Sequence, residues 1–215
     1  MTMTPERWGF LNDYSQEVFG TEDEHLAGLM TEAVAAGIPD IAVSADVGRL
    51  LKILTSMTRG QLAVEVGTLA GYSGIWITRG LRPEGRLITI EPEPKHAAFA
   101  REQFDRAGIG ERVEIRPGTG IEVLTRLVDE LAPGSVDVLY LDAVKTEYSD
   151  YFKIARPLIA VGGLVLADNV YGTGSGWIDQ GHGTDPFNRL IAADPEFEAV
   201  AMPFREGVLI ARRLR

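Results

Sequence analysis

The chain has 215 residues, of which 45% are hydrophobic and 24% are charged. This composition is typical of a globular protein with one sizeable core, and it predicts a single domain over residues 1-215. The formal net charge of -10 disfavours a nucleic acid as partner, because binding to phosphates normally requires a basic patch. The chain has no cysteine, which excludes disulfides, thiolate metal sites and a cysteine nucleophile.

The amino-terminal part of the chain is acidic and lacks a continuous apolar stretch. It therefore predicts a cytoplasmic protein with no membrane span. Apolar positions at helical spacing predict helices over Pro5 to Phe19, Glu22 to Ala36 and Val47 to Met57. We expect these helices to form a cap over residues 1-58, ahead of a core over residues 59-215.

The core alternates between strands and helices, which is typical of a parallel sheet with crossover helices on both faces. The predicted parallel strands are Gln61 to Val66, Leu87 to Glu91, Arg112 to Arg116, Val136 to Leu141 and Leu164 to Ala167. Two later runs, Phe197 to Phe204 and Val208 to Ala211, meet at Glu206-Gly207 and predict an antiparallel hairpin at one edge. The sequence thus predicts an α/β fold with a mostly parallel, seven-stranded sheet.

The turn after the first strand has glycines at the spacing Gly67-x-x-x-Gly71-x-x-Gly74. A tight turn that opens into a helix favours an anion at the helix N-terminus. The dinucleotide pattern has a glycine where this chain has Leu69, so a pyrophosphate fits less well than a carboxylate. Glu91 closes the second strand about twenty residues after Gly71, where it is suited to accept hydrogen bonds from ribose hydroxyls. Each feature alone also fits an ordinary turn and a solvated glutamate, but together they favour an adenosyl ligand.

Acidic and amide side chains follow the fourth and fifth strands. Asp142 ends the fourth, and Asp168 and Asn169 end the fifth. If these strands are neighbours, two carboxylates and an amide oxygen meet in a set suited to Mg²⁺. Without a cation the two carboxylates would repel each other, and one pKa would rise. The alternative is that Asp168 and Asn169 only begin a loop while Asp142 caps a helix.

Lys145 lies three residues beyond Asp142, at the same expected mouth of the sheet. We expect it to act as a general base, although an exposed surface lysine is the commoner fate of this residue type. His182, in the glycine-rich loop after Asn169, is a rival base that ranks below Lys145.

Four ordered motifs resemble those of the metal-dependent O-methyltransferases, which include catechol and caffeoyl-CoA O-methyltransferases and their bacterial relatives. They are Glu65-Val-Gly-Thr-x-x-Gly-Tyr-Ser73, Ile88-Thr-Ile-Glu91, Leu141-Asp-x-x-Lys145-x-x-Tyr148 and Gly162-Gly-Leu-x-x-x-Asp168-Asn-Val170. The resemblance extends from about Val43 to the C-terminus. It implies a Rossmann-like methyltransferase domain with an N-terminal helical cap, the donor S-adenosylmethionine, a divalent cation such as Mg²⁺, and commonly a homodimer.

The resemblance also assigns roles to individual residues. It implies a donor site in which Val43, Glu65, Gly67, Thr68 and Ser73 hold the methionine end, Glu91 holds the ribose and Gly120 lies by the adenine. The implied metal ligands are Asp142, Asp168 and Asn169, with Asp142 also counted in the donor site, and the implied catalytic residue is Lys145. The expected reaction is a single in-line methyl transfer to a hydroxyl of a small aromatic acceptor. A catechol-type diol fits best, because two adjacent oxygens can chelate one metal.

The chain departs from the family pattern in three places. Val144 stands where many bacterial members have an aspartate, and Gly118-Thr119-Gly120 replaces the commoner Gly-Asp-Ala, which puts the adenine contact in doubt. The third is the glycine-rich loop, whose Tyr171 and Trp177 fit either closure over an aromatic acceptor or ordinary packing. Two other functions stay open at this point: an NAD-dependent oxidoreductase on the same fold, and a methyltransferase-like protein without catalysis.

Overall fold

The computed structural model describes residues 4–173, 176–181 and 183–215. Eight helices are described: α1 (Pro5–Phe19), α2 (Glu24–Ala35), α3 (Ala45–Ser56), α4 (Tyr72–Gly80), α5 (Pro94–Arg106), α6 (Gly120–Glu130), α7 (Tyr148–Ala155) and α8 (Asp185–Ala192). The main sheet contains β1 (Leu62–Val66), β2 (Arg86–Glu91), β3 (Val113–Pro117), β4 (Val136–Leu141), β5 (Ile159–Ala167), β8 (Phe197–Met202) and β9 (Val208–Arg213). A short separate ribbon pairs β6 (Gly172–Thr173) with β7 (Gly176–Trp177).

The seven strands of the main sheet lie in the order β3-β2-β1-β4-β5-β9-β8. The first five pair in parallel, and β9 pairs antiparallel with both β5 and β8. This confirms the predicted mostly parallel α/β fold with an antiparallel hairpin at one edge. It also confirms that β4 and β5 are neighbours.

The sheet is covered on both faces, as the crossover connections of a parallel sheet require. Every residue of β1 and β4 is buried, and alternate side chains enter separate apolar clusters. Val64 joins the cluster that contains residues of α6, α7 and α8, whereas Ala63 joins the one that contains residues of α2 to α5. The helices α2 and α3 pack against α4, and α1 packs on α3 with no buried residue of its own. Among the described residues, no helix has the length and apolarity that a membrane crossing requires.

The predicted ends of helices and strands differ from the observed ones where a helix N-cap residue or a glycine sets the boundary. The second helix begins at Glu24 rather than Glu22, because the Asp23 side chain accepts a hydrogen bond from the Leu26 N–H at 3.0 Å and caps it. The third begins at Ala45, since Ser44 takes the N-cap position. Strand β5 begins five residues earlier than predicted, at Ile159, because a register shift against β4 accommodates Gly162 within the strand.

The turn of the β8–β9 hairpin lies over the end of β5. Ala167 pairs with Leu209, the Val170 N–H donates to the Gly207 carbonyl at 3.0 Å, and the Tyr171 N–H donates to the Glu206 carbonyl at 2.8 Å. Since β9 is antiparallel to β5, its first residues meet the last residues of β5. The hairpin turn therefore belongs to the carboxyl edge of the parallel strands, where ligands bind in open α/β sheets.

Candidate active site

The turn between β1 and α4 forms one wall of a cleft of about 260 Å³. Three of its residues, Gly67, Leu69 and Gly71, have positive φ angles of 107°, 47° and 86°. A Cβ atom on Gly67 would overlap the Asp142 carbonyl oxygen. Glycine there allows the ends of β1 and β4 to approach closely, which brings Asp142 to the cleft.

Glu91 is buried at the end of β2 and fixes the shape of this turn. One carboxylate oxygen accepts the Leu69 N–H at 2.8 Å, and the other accepts the Glu93 N–H at 3.0 Å. The His96 Nδ1 lies 3.5 Å from the same carboxylate. Each carboxylate oxygen has more than one acceptor position, so Glu91 can hold the turn and still accept from a ligand hydroxyl.

Glu65 lies behind the cleft in β1, with no solvent exposure. Its two oxygens accept hydrogen bonds from the Ser73 and Thr89 hydroxyls, both at 2.6 Å, and the Thr68 and Thr89 hydroxyl oxygens are also 2.6 Å apart. Burial raises the pKa of Glu65 to about 7, and the charges of Asp142 and Glu91 add to the increase, while the two hydroxyl donors oppose it. Glu65 therefore orients Ser73, which lines the cleft, and Thr89.

The structure brings most of the predicted donor residues around the cleft. Val43, Gly67, Thr68, Ser73, Glu91 and Asp142 line it. Glu65 and Gly120 do not: Gly120 is buried at the start of α6, where a Cβ would collide with the Tyr151 ring and Val66. Thr119 caps α6 in a reciprocal hydrogen-bonded arrangement with Glu122, so the Gly118-Thr119-Gly120 segment has a clear structural role.

The residues predicted as metal ligands follow β4 and β5 at adjacent positions. The Asp142 N–H donates to Val66, and the Asp168 N–H donates to the Leu141 carbonyl at 3.1 Å. Asn169 adopts a φ of +57°, which asparagine tolerates better than most residues. The backbone bonds between these strands therefore bring the two carboxylates to one edge.

Asp168 is a buried carboxylate with one unpartnered oxygen. It is 3% exposed, and its Oδ1 is buried with no hydrogen-bond partner among the described residues. Burial raises its pKa to about 7, the Asp142 charge adds to this, and Lys145 and Arg205 oppose it. No cluster of three or more His, Asp or Glu side chains suited to a metal occurs in the described part of the chain. The two carboxylates and the Asn169 amide oxygen could together hold a cation, and the unpartnered Oδ1 fits that role.

Lys145 bridges the two sides of the site. Its Nζ lies 2.6 Å from Asp142 Oδ1 and donates to the Tyr148 hydroxyl oxygen at 2.8 Å. The Tyr148 hydroxyl in turn lies 2.9 Å from the Leu141 carbonyl oxygen and 3.1 Å from that of Asp168. Burial and the charge of Asp142 raise the pKa of Tyr148 well above its usual value, so this hydroxyl stays protonated and positions the lysine. His182, the rival base, lies outside the described residues.

A second cavity of about 500 Å³ adjoins the cleft along the β1–α4 turn and shares Ile41, Asp142 and Ala143 with it. Its other lining residues are Asp40, Lys145, Asn169, Thr173, Arg205 and Glu206. Arg205 and Glu206 were not predicted as site residues. The sequence predicted the hairpin at a sheet edge but not the strand that β9 joins. Once β9 pairs antiparallel with β5, the turn must lie beside Asp168.

The two loop aromatics differ in their surroundings. The Tyr171 hydroxyl donates to the Ala201 carbonyl at 2.9 Å, and a Cβ on Gly207 would collide with its ring, so Tyr171 is a packing residue. Trp177 is 45% exposed and lines neither of these two cavities. Val144 is half exposed and lines the donor cleft, where it adds an apolar surface.

A family model described as O-methyltransferase matches residues 15–214. The chain belongs to this O-methyltransferase family. A catechol O-methyltransferase of Niastella koreensis is 38% identical over 199 residues, covering 89% of both chains. A catechol O-methyltransferase of Mycobacterium tuberculosis is 38% identical over 149 residues, covering 69% of this chain and 66% of its own.

Solved structures agree with the family over nearly the whole chain. The O-methyltransferase of Bacillus cereus in complex with SAH is 31% identical, with a TM-score of 0.85 over 97% of this chain and 99% of that one. An O-methyltransferase of Streptomyces achromogenes involved in tomaymycin synthesis, in complex with SAM, is also 31% identical, with a TM-score of 0.85 and full coverage of both chains. The protein is therefore an enzyme of the S-adenosylmethionine-dependent O-methyltransferase family, which sets aside the NAD-dependent oxidoreductase.

Proposed function

We propose that this enzyme transfers a methyl group from S-adenosylmethionine to a hydroxyl of a small aromatic diol, with the help of a divalent cation. The observation that carries the proposal is the convergence of Asp142, Asp168, Asn169 and Lys145 at one edge of the sheet, beside the cleft proposed for the donor. Asp142 belongs to both cavities, so donor and acceptor would meet there.

The donor is proposed to lie along the β1–α4 turn. Ser73 and Thr68 supply hydroxyls toward the methionine end, and Val43 lines the same cleft. Glu91 would accept hydrogen bonds from the ribose hydroxyls. Glu65 contributes indirectly, since it holds Ser73 through a 2.6 Å hydrogen bond. SAM and SAH in the related solved structures support this ligand.

A cation held by Asp142, Asp168 and Asn169 would supply Lewis-acid polarisation of the acceptor hydroxyl. In the proposed reaction the acceptor oxygen forms a bond to the methyl carbon while the bond from that carbon to the sulfonium sulfur breaks. S-adenosylhomocysteine leaves as a neutral thioether. Lys145 accepts the hydroxyl proton on Nζ, and Tyr148 and Asp142 hold that nitrogen in place. The protein's main contributions are alignment and proton removal.

The acceptor is proposed to be a vicinal aromatic diol. Hard oxygen donors on the protein favour a hard oxygen ligand, and Ile41 and Ala143 provide apolar contacts in the cavity. The relatives named catechol O-methyltransferase support this class.

The enzyme is proposed to act as a homodimer. Helix α1 has no buried residue and exposes aromatic side chains, among them Phe10, Tyr14 and Phe19. An exposed aromatic face of this kind is typical of an interaction surface. The cytoplasmic location stays a prediction.

A panel of aromatic diols and mono-hydroxyl analogues, assayed with labelled donor, tests the proposal. We expect methyl transfer to the diols, loss of activity in excess EDTA, and recovery on addition of Mg²⁺. Methyl transfer that persists fully in excess EDTA would exclude a role for the cation in the reaction. Absence of transfer to every diol would instead favour the non-catalytic alternative.

A further inference from the structure

The cavity beside the donor cleft contains two cationic side chains among its lining residues, Lys145 and Arg205. Lys145 is engaged by Asp142 and by the Tyr148 hydroxyl. Arg205 is held less tightly: it forms a longer ion pair with the adjacent Glu206, and its charge also acts on Asp168. Its place in the cavity follows from the β8–β9 turn, which the backbone bonds from Val170 and Tyr171 hold over the end of β5.

The backbone of Arg205 is in the left-handed region, with a φ of +48°. A residue with a Cβ is disfavoured there, and the partly exposed ion pair with Glu206 offsets little of the strain. The next positive φ in the turn, at Gly207, is occupied by glycine as expected. Non-glycine residues in such conformations concentrate at functional sites, because there the side chain serves a purpose that outweighs the strain.

The guanidinium of Arg205 has unused hydrogen-bonding capacity. Its Nε lies 3.4 Å from Glu206 Oε2, which is an ion pair without a hydrogen bond, and that oxygen is itself unpartnered. Its Nη1 is buried and has no hydrogen-bond partner in the described part of the chain. By contrast, Arg156 donates to both oxygens of Asp194, at 2.7 and 3.0 Å. A buried donor without a partner is unfavourable, and a ligand acceptor would relieve it.

We propose that Arg205 is a specificity residue that selects aromatic diols bearing a carboxylate, a refinement that rests on the proposed function. A carboxylate accepts from the guanidinium fork through paired hydrogen bonds. A single negative charge suits the cavity better than a phosphate dianion, since Asp40, Asp142 and Glu206 also line it. The carboxylate would lie at the Arg205 end while the diol lies toward Asp142 and Lys145.

The test compares a catechol carboxylate, protocatechuate, with its neutral carboxamide as acceptors. We expect wild type to prefer the carboxylate in kcat/KM, and the carboxylate-to-carboxamide ratio to fall by about tenfold or more in Arg205→Gly. Arg205→Lys keeps the charge and should retain part of the preference. Arg189→Ala removes an exposed arginine outside both cavities and should keep the wild-type ratio.

Glycine suits the left-handed backbone, so Arg205→Gly is expected to fold. A cooperative thermal unfolding transition in the presence of SAH would show this. If Arg205→Gly does not fold, the comparison is repeated with Arg205→Asn, because asparagine tolerates the left-handed conformation better than most other residues. An unchanged ratio in these variants would overturn the proposal. If wild type methylates neither acceptor, the diol panel decides separately for the proposed function, and calorimetry on the SAH complex decides for Arg205. The proposal is supported if Arg205→Gly binds protocatechuate more weakly than wild type does while its affinity for the carboxamide is unchanged. Equal protocatechuate affinity in both proteins, or no binding of protocatechuate to wild type, would refute it.

Discussion

At the scale of single residues, the position of Lys145 is fixed by groups with different roles. Asp142 provides the opposite charge at 2.6 Å, and Tyr148 accepts a hydrogen bond at 2.8 Å while its own hydroxyl is held by backbone carbonyls. Such over-determined placement of one nitrogen is expected of a group that must meet a reacting hydroxyl. It is not needed for a surface lysine.

Substitution of Lys145 by methionine should lower kcat sharply, by about 10²- to 10⁴-fold, because proton removal is lost. Affinity for SAH, measured by calorimetry, should change little. Lys145→Arg keeps the charge but cannot release its proton, so it should be nearly as slow. The control is Lys153→Met, which removes a lysine whose side chain is 60% exposed. A Lys145→Met enzyme with normal kcat would remove this residue from the mechanism.

The buried Glu65 should make stability depend on pH. Its pKa rises from 4.5 to about 7 on folding, so between these values the folded state holds a proton that the unfolded state has lost. Stability from this group is therefore fully present below pH about 4.5 and is lost as pH rises through about 7, by on the order of 3 kcal/mol.

Urea unfolding of wild type and Glu65→Gln at pH 5 and pH 8 would measure this effect. The variant does not titrate at this position, so its stability should fall less than that of wild type between the two pH values. Glu84→Gln, at an exposed position, serves as the control. Identical pH dependence in wild type and Glu65→Gln would contradict the prediction.

At the scale of elements, the β1–α4 turn depends on close contact between strand ends. Gly67→Ala would place a methyl group on the Asp142 carbonyl oxygen as well as straining a φ of +107°. We expect a loss of more than about 2 kcal/mol in unfolding free energy and SAH binding weaker by about tenfold or more.

Gly108→Ala is the matched control for this substitution. Gly108 also has a positive φ, +70°, but an added Cβ there meets no atom within 4 Å. It should cost only about 1 kcal/mol and leave SAH affinity unchanged. If both variants lose the same stability and both keep SAH binding, the overlap with Asp142 has no functional importance.

The β8–β9 hairpin was predicted from the sequence, but its position in the sheet was not. Its two apolar runs and the Glu206-Gly207 pair predicted an antiparallel hairpin at a sheet edge, and this was confirmed. The first run was expected to continue to Phe204, but β8 ends at Met202 because the chain turns through the left-handed Arg205. The location of that turn beside Asp168 depends on which strand β9 joins, and nothing in the hairpin itself encodes that.

At the scale of the whole molecule, the exposed aromatic face of α1 predicts self-association. Phe10→Glu combined with Tyr14→Glu should shift the molar mass measured by light scattering from dimer to monomer, because charges on a buried interface are costly. Val161→Glu alters another exposed apolar side chain, 64% accessible, and should leave the mass unchanged. A wild-type protein that is monomeric at high concentration would refute the dimer.

The alternation of strands and helices can be predicted from the sequence, because buried parallel strands and amphipathic helices leave distinct apolar patterns. The sequence also predicts that Asp142, Asp168 and Asn169 follow strands, and therefore that they lie at one edge once those strands are neighbours. Only the tertiary structure decided what surrounds them. The contact of Tyr148 with Lys145, the burial that leaves Asp168 Oδ1 unpartnered, and the arrival of Arg205 from a turn 37 residues further along the chain depend on packing between distant segments. Local patterns do not carry that information, because each contact exists only after the β9 register and the helix positions are set.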